Sequence, residues 1–411
     1  MNGSKKIVTG AVCAVAAACA SGFWLYGVYA AGRAFDEAAI DAFEAVLPPE
    51  FTARVTHYEG GFFQKSFRVS FVALGDIELG TFNGAAYPGF TTRVKLTRAP
   101  DGNFEKRLLS GGVQNFDDRL EFSYASLPAF LKAGPKMRAT YAIKPFTVVF
   151  GGQCDFDAFT LDIEADEKVT ISARSPGMRC RAPGQPVLEI GKFDLSYSAG
   201  SDAFALKSEG VSDALAESRF KADVGAVRSS LGRFDGLRVS MNVEPDAKGA
   251  WTETMRFELE SPSSPLWDAF LSDFGAIDRV AGTLRITSIT DRLSEQFSQI
   301  LLGPELLQAD LMTLALEKAM MHDGLAIEVN PLEVVSGKAR ATLDGRVASE
   351  TEADAARIVG RFDLQVDEDI LPEDMRTEAT AQGYLTKENG RYKSQIVLAP
   401  DFGTANGVSL Y

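Results

Sequence analysis

Leu237-Arg-Val-Ser-Met-Asn-Val243 alternates apolar and polar residues one by one, and that period of two decides the fold. In an extended chain successive side chains point to opposite sides, so such a stretch makes a strand with one buried face and one wet face. The same alternation recurs on either side of it. Phe67, Val69 and Phe71 show it, as do Phe159, Leu161 and Ile163, then Phe193, Leu195 and Tyr197. Phe257 and Leu259 follow, then Phe362, Leu364 and Val366, then Tyr392, Ser394, Ile396 and Leu398. Asp101-Gly102, Asp235-Gly236, Asp344-Gly345 and Asn389-Gly390 read as turn pairs between them. The predicted class is mainly β, with large antiparallel curved sheets in a body spanning residues 51–411 and two lobes dividing near 200–250. At ordinary strand and turn lengths that body has room for more than about a dozen strands.

One segment keeps a different period. Leu306, Leu307, Leu311, Met312, Leu314, Leu316, Met320 and Met321 lie between Gly303-Pro304 and Gly324. Pro in the first turn and Gly just past the end punctuate a helix. Its polar stripe (Asp310, Thr313, Glu317) is narrow, so the expectation is one buried apolar helix packed in the concavity of a sheet. The alternative is a helix that plugs or lines a lipid-sized groove.

The N-terminus sets the compartment. No charge interrupts Ile7 to Gly32, a run of 26 residues. As a helix it would reach about 39 Å, enough for a bilayer core of about 30 Å with some tilt. Lys5 and Lys6 precede it, Asp36 and Glu37 follow, and Phe23, Trp24, Tyr26 and Tyr29 gather near its outer end. Lys retained on the inner side and rings at the interface orient the body away from the cytoplasm. Residues 1–32 thus read as a cytoplasmic tip and transmembrane anchor. Ala18-Cys19-Ala20 offers the competing reading of a cleaved signal peptide. Residues 33–50 read as a juxtamembrane helix, with Phe35, Ala39, Phe43 and Val46 on one stripe and Pro48-Pro49 ending it.

With 45% hydrophobic and 24% charged residues the chain can build a sizeable core. A net charge of −14 repels phosphate backbones and anionic headgroups, which argues against nucleic acid as a partner. Cys13 and Cys19 fall in the apolar run, and Cys154 and Cys180 remain as the disulfide candidates of an oxidising compartment. The alternative for that pair is two reduced, buried thiols.

Catalytic patterns are sparse. His57 and His322 are the only histidines, and no nucleophile elbow, phosphate loop, His-Glu-x-x-His helix or Cys-x-x-Cys is present. Asp117-Asp118 is a neighbour pair, ill placed to face itself across a glycosidase cleft. Asp155 and Asp157 lack the oxygen-rich loop that calcium needs. The expectation is a protein that is not an enzyme and has no cofactor, metal site or catalytic residue.

Two stretches carry a family resemblance. Tyr58-Glu-Gly-Gly-Phe-Phe-Gln-Lys-Ser66 resembles the opening signature of the YdgA-like family of bacterial envelope proteins, through Tyr58, Gly61, Phe63 and Ser66. Gly60 stands where that family commonly has Arg. Gly383, Tyr392 and the terminal Asn406-Gly407 resemble its closing pattern. The resemblance implies an inner-membrane tether and a periplasmic body, and it implies no reaction, because the family's function is unknown. The residues themselves read as architecture, with Gly60-Gly61 allowing a bend or bulge and Phe62-Phe63 joining Phe67 to seed the sheet. The expected function is non-catalytic binding or scaffolding in the cell envelope, with an envelope protein, a lipid or a second copy of the chain as partner. Lipid or hydrophobic-ligand transfer, by analogy with AsmA-like proteins, is the alternative. An apolar trough open to solvent would favour the lipid reading, and a filled one the scaffold.

Overall fold

The computed structural model describes residues 51–410 except 74–76, 90, 126–136, 167, 185–186, 201–216, 247–248, 265–275, 294–295, 297–304 and 353–354. The expected anchor at 1–32 and helix at 33–50 lie outside the described residues. Among the described residues no helix is long and apolar enough to cross a membrane. The chain divides into two compact units, Met1–Ser172 and Ala173–Tyr411.

The first unit contains β1 (Phe51–Gly60), β2 (Lys65–Ala73), β3 (Ile77–Tyr87), β4 (Thr91–Arg98) and β5 (Val113–Gln114). It continues with β6 (Asp118–Ala125), β7 (Met137–Ile143), β8 (Phe146–Val149), β9 (Gln153–Phe156) and β10 (Phe159–Ala165). Strands β1, β2, β3, β4, β6, β7 and β10 pair in that order, each antiparallel to the next. A short helix, α1 (Asn103–Ser110), connects β4 to β5, and β5, β8 and β9 pair separately.

The core of this unit is closed. Val69, Val94 and Leu96 have no exposed surface, and Phe67, Phe82 and Ala86 pack with them. The Asp118 carboxylate is buried beside that core and accepts bonds from the Arg98 guanidinium at 2.5 and 2.6 Å and from the Tyr141 hydroxyl at 2.7 Å. Arg98 in turn lies over the rings of Phe82 and Phe116, 4.8 and 5.3 Å from their centroids. Burial and the bond to Asp118 push the Tyr141 hydroxyl well above its usual range, so it stays a proton donor.

Strand β11 (Lys168–Ser175) carries the chain across the division. The second unit holds β12 (Met178–Arg181), β13 (Leu188–Ile190), β14 (Phe193–Gly200), β15 (Ser218–Val224), β16 (Val227–Ser229) and β17 (Gly232–Phe234). Then come β18 (Gly236–Pro245), β19 (Trp251–Glu260), β20 (Arg279–Ile289), α2 (Glu305–His322), β21 (Ala326–Ser336), β22 (Ala339–Glu352) and β23 (Ala355–Asp367). The chain closes with α3 (Glu373–Ala381), β24 (Thr386–Glu388), β25 (Arg391–Ala399), β26 (Phe402–Ala405) and β27 (Val408–Ser409). Nine of these strands form one antiparallel meander in the order β14, β15, β18, β19, β20, β21, β22, β23, β25. Every stretch that alternates in the sequence is a strand here, and the antiparallel β class holds.

The turn pairs divide. Asn389-Gly390 joins β24 to β25, and both residues have positive φ (51° and 78°). This is the mirror-image two-residue turn whose twist matches a hairpin. Asp344-Gly345 is not a turn but the interior of β22. A Cβ at Gly345 would lie 2.3 Å from the ring of its cross-strand partner Phe362, and one at Gly84 equally close to its partner Phe67. These glycines let an aromatic ring lie flat on the neighbouring strand, which no sequence rule for turns distinguishes. Asp235-Gly236 likewise links β17 to β18 without a hairpin.

Helix α2 also departs from expectation. Ala315, Ala319 and Met320 are buried, with Leu316 partly so, and they pack on Ile286, Ile327, Val347 and Ile358. Leu311 and Leu314 remain 46% exposed. The helix docks on the stripe Ala315, Leu316, Ala319, Met320, where small residues allow close approach to the sheet. Leu311 and Leu314 lie off that stripe, so among the described residues the helix is buried along one side rather than all round.

Candidate functional site

Register turns the alternating sequence of the second unit into continuous rows. Tyr197, Phe220, Met241, Met255, Leu284, Val329, Gly345, Phe362 and Ile396 stand opposite one another across the nine strands. Leu195, Ala222, Val239, Phe257, Gly282, Leu332, Leu343 and Leu364 form a second row. Phe193, Val224, Leu237, Leu259, Val280, Val334, Ala341 and Val366 form a third. Nine strands about 4.8 Å apart make an apolar face roughly 38 Å long, and three rows make it roughly 14 Å wide.

Burial on that face is uneven: in the row beyond Tyr197 and Met241, Ala199 and Val243 are buried. From β14 to β22 every residue of the three rows is only partly buried. Packed clusters occur where α2 sits on β22 and β23, and where Ile370 meets Ala339 and Val366. The one carboxylate on the apolar side of β19, Glu253, lies between Val243 and Ile286 in register, and burial raises its pKa above the ordinary range.

The opposite face is held wet by ion pairs. Arg238 bridges Glu258 at 3.1 Å and Glu260 at 2.5 Å, Arg279 pairs with Glu258 and Glu333, and Arg340 reaches Glu333 at 2.8 Å. Exposed pairs of this kind add little stability, about 0–1 kcal/mol each, but they fix which side of the sheet faces water.

The residues singled out by sequence have structural places. Cys154 on β9 and Cys180 on β12 are disulfide-bonded. In the Tyr58 to Ser66 stretch, a bulge places His57 and Tyr58 opposite the single residue Phe67, with His57 at φ 52°. The Gly61 N–H bonds the Gln64 carbonyl at 2.9 Å and closes the β1–β2 turn, and Gly60 ends β1 opposite Lys65. Ser66 pairs with Glu59 beside the bulge. Phe62 and Phe63 do not seed the sheet. They sit on the turn, edge to face with each other, and Phe63 is 58% exposed because the ladder ends before it.

The closing pattern is equally architectural. Gly383, at φ 81°, ends α3, with Tyr384 N–H bonded to the Ala379 carbonyl at 2.8 Å and Gly383 N–H to that of Thr380 at 3.1 Å. Tyr392 is buried beneath Lys387. Asn406 and Gly407 form a second mirror-image turn, and the Asn406 side chain clamps Gln395 N–H at 2.9 Å and the Tyr384 carbonyl at 3.1 Å. The two motifs belong to different units.

Sequence reading passed over the Arg98–Asp118–Tyr141 cluster. Asp117-Asp118 looks like a uniform acidic pair, yet Asp117 is exposed and paired with Lys144 while Asp118 is buried. The signal was the alternation: Asp118 shares parity with Leu120 and Phe122, which pack on the core. Among the described residues no cluster of three or more His, Cys, Asp or Glu is placed to hold a metal ion. The chain matches no family model, no curated protein and no solved structure.

Proposed function

We propose that this is a membrane-tethered envelope protein whose second unit shelters a hydrophobic ligand, of acyl-chain character, on the apolar face of its long sheet. The observation that carries the reading is the contrast between that face's extent and its burial: three apolar rows, the longest roughly 38 Å, whose residues from β14 to β22 are only partly buried. Soluble proteins rarely leave a contiguous apolar patch of that size without using it. The placement draws support from the uncharged run at Ile7 to Gly32, the disulfide, and the resemblance to the YdgA-like envelope family. The half-open face favours this reading over the scaffold.

The test is lipid extraction and native mass spectrometry on the full chain purified in mild detergent. Wild-type protein is expected to carry lipid. Met255→Asp, which puts a charge on the apolar face, should shed it without lowering the melting temperature of the first unit. Lipid-free wild-type protein would remove the ligand reading and restore the scaffold.

A further inference from the structure

On the wet face of the second unit a groove of about 660 Å3 runs over β14, β15, β18, β19 and β20. Ser196, Lys221, Ser240, Arg256 and Thr283 stand opposite one another along its centre, one from each strand. Their order alternates hydroxyl, cation, hydroxyl, cation, hydroxyl. Neither Lys221 nor Arg256 has a carboxylate within ion-pair distance among the described residues, and the three hydroxyls make no hydrogen bond to a described residue. Their neighbours Arg238 and Arg279, by contrast, are both tied to glutamates.

The next row on the same face is Ser198, Arg219, Asn242, Thr254 and Arg285. Together the two rows hold four cations and no acid across five strands. Two of those cations are already paired, Arg219 with Glu217 and Arg285 with Glu328, and Asp194, Asp223 and Glu258 line the groove on the other flank of the central row. The lining of the groove as a whole holds five cations and four carboxylates, so its positive character is local and rests on Lys221 and Arg256, the two cations of the central row.

We infer that this groove is an oxyanion site, built for a phosphate-class group of at least two negative charges. Lys221 and Arg256 are two strands apart, about 10 Å at the backbone, with Ser240 midway between them. Long flexible side chains converging from either side would grip an anion seated over Ser240, Arg256 with its planar fork and Lys221 as a point charge. Ser240 would donate its hydroxyl proton from below. The site is on the face opposite the apolar rows and does not depend on the proposed acyl ligand.

Calorimetric titration of the full chain in non-ionic detergent tests it, with two probes: inorganic pyrophosphate, and a short-chain phosphatidic acid kept below its micelle concentration. Saturable binding of either is expected, and the tighter probe distinguishes a free anion from a lipid headgroup. Lys221→Gln with Arg256→Gln should weaken binding about ten- to a hundredfold, as expected for lost charge-assisted bonds. Ser240→Ala should weaken it less. Arg361→Gln, which breaks a surface pair with Glu350 outside the groove, should leave it unchanged. The inference is overturned if folded wild-type protein binds neither probe, or if the double variant binds as tightly as wild type.

Discussion

The two units use one device, an antiparallel meander with alternating faces, and reach opposite ends. In the first, the rows from β2, β3 and β4 close on one another, and Val69, Val94 and Leu96 lose all contact with solvent. The second has larger apolar rows, yet from β14 to β22 they stay only partly buried, and the packed clusters among the described residues lie under α2 and around Ile370. A buried ion pair sits beside the closed core, while the open face carries one carboxylate, Glu253, with a raised pKa. Alternation therefore sets the hand of each side chain. What covers the face decides whether it becomes a core or a binding surface.

The sharpest way to break the contrast is at Asp118. Arg98→Met should destabilise the protein by about 3–5 kcal/mol, because it strands a buried carboxylate without its cation. Denaturant unfolding at neutral pH measures this, and a loss below about 1 kcal/mol would mean the core is wetter than its geometry indicates.

A like-for-like pair comes next. Leu96→Ala should cost about 2–5 kcal/mol by opening a cavity in a closed core. Leu259→Ala, on the partly buried rows, removes the same atoms but should cost less, about 1 kcal/mol, since water already reaches part of that side chain. Equal losses in the two variants would erase the distinction between the units.

Acid sensitivity refines it further. Folding raises the pKa of Glu253, so the folded chain holds that proton more tightly than the unfolded chain does. Its contribution to stability is full below the unfolded carboxylate range and is lost as pH rises through the folded value. Glu253→Gln should therefore raise the melting temperature at neutral pH and leave it nearly unchanged in acid. A uniform shift at all pH values would assign the effect to something other than titration. The smallest effect is expected at α2, where Leu311→Ala should change stability by less than about 0.5 kcal/mol because the side chain is exposed.

Much of the fold was legible because period two is a local signal. The stretches around Phe67, Leu237 and Phe362 announce strands without reference to anything distant. Closure is not local. Nothing in Leu259 or Met255 announces that they stay only partly buried, and nothing in Leu311 says that Ala315 and Ala319 would take the docking side. Gly345 illustrates the same limit, since Asp-Gly reads as a turn until the ring of Phe362 is known to lie across it. The candidate site was visible only as alternation, its ligand face and wet face as two halves of one pattern. Asp118 was hidden because charge seemed to outweigh parity.

The order of pairing in the second unit has a consequence for how the chain acquires its shape. Most strands of the meander bond to strands adjacent in sequence, and the links from β18 to β19, β21 to β22 and β22 to β23 are only a few residues long. Contacts of small sequence separation need little loop closure, and folding speed rises accordingly. Such a sheet can lengthen strand by strand as the polypeptide emerges, each newcomer pairing with the edge already laid down. Quick pairing of each newcomer shortens the time for which the growing edge stands unpaired, which limits the chance of mispairing with another chain.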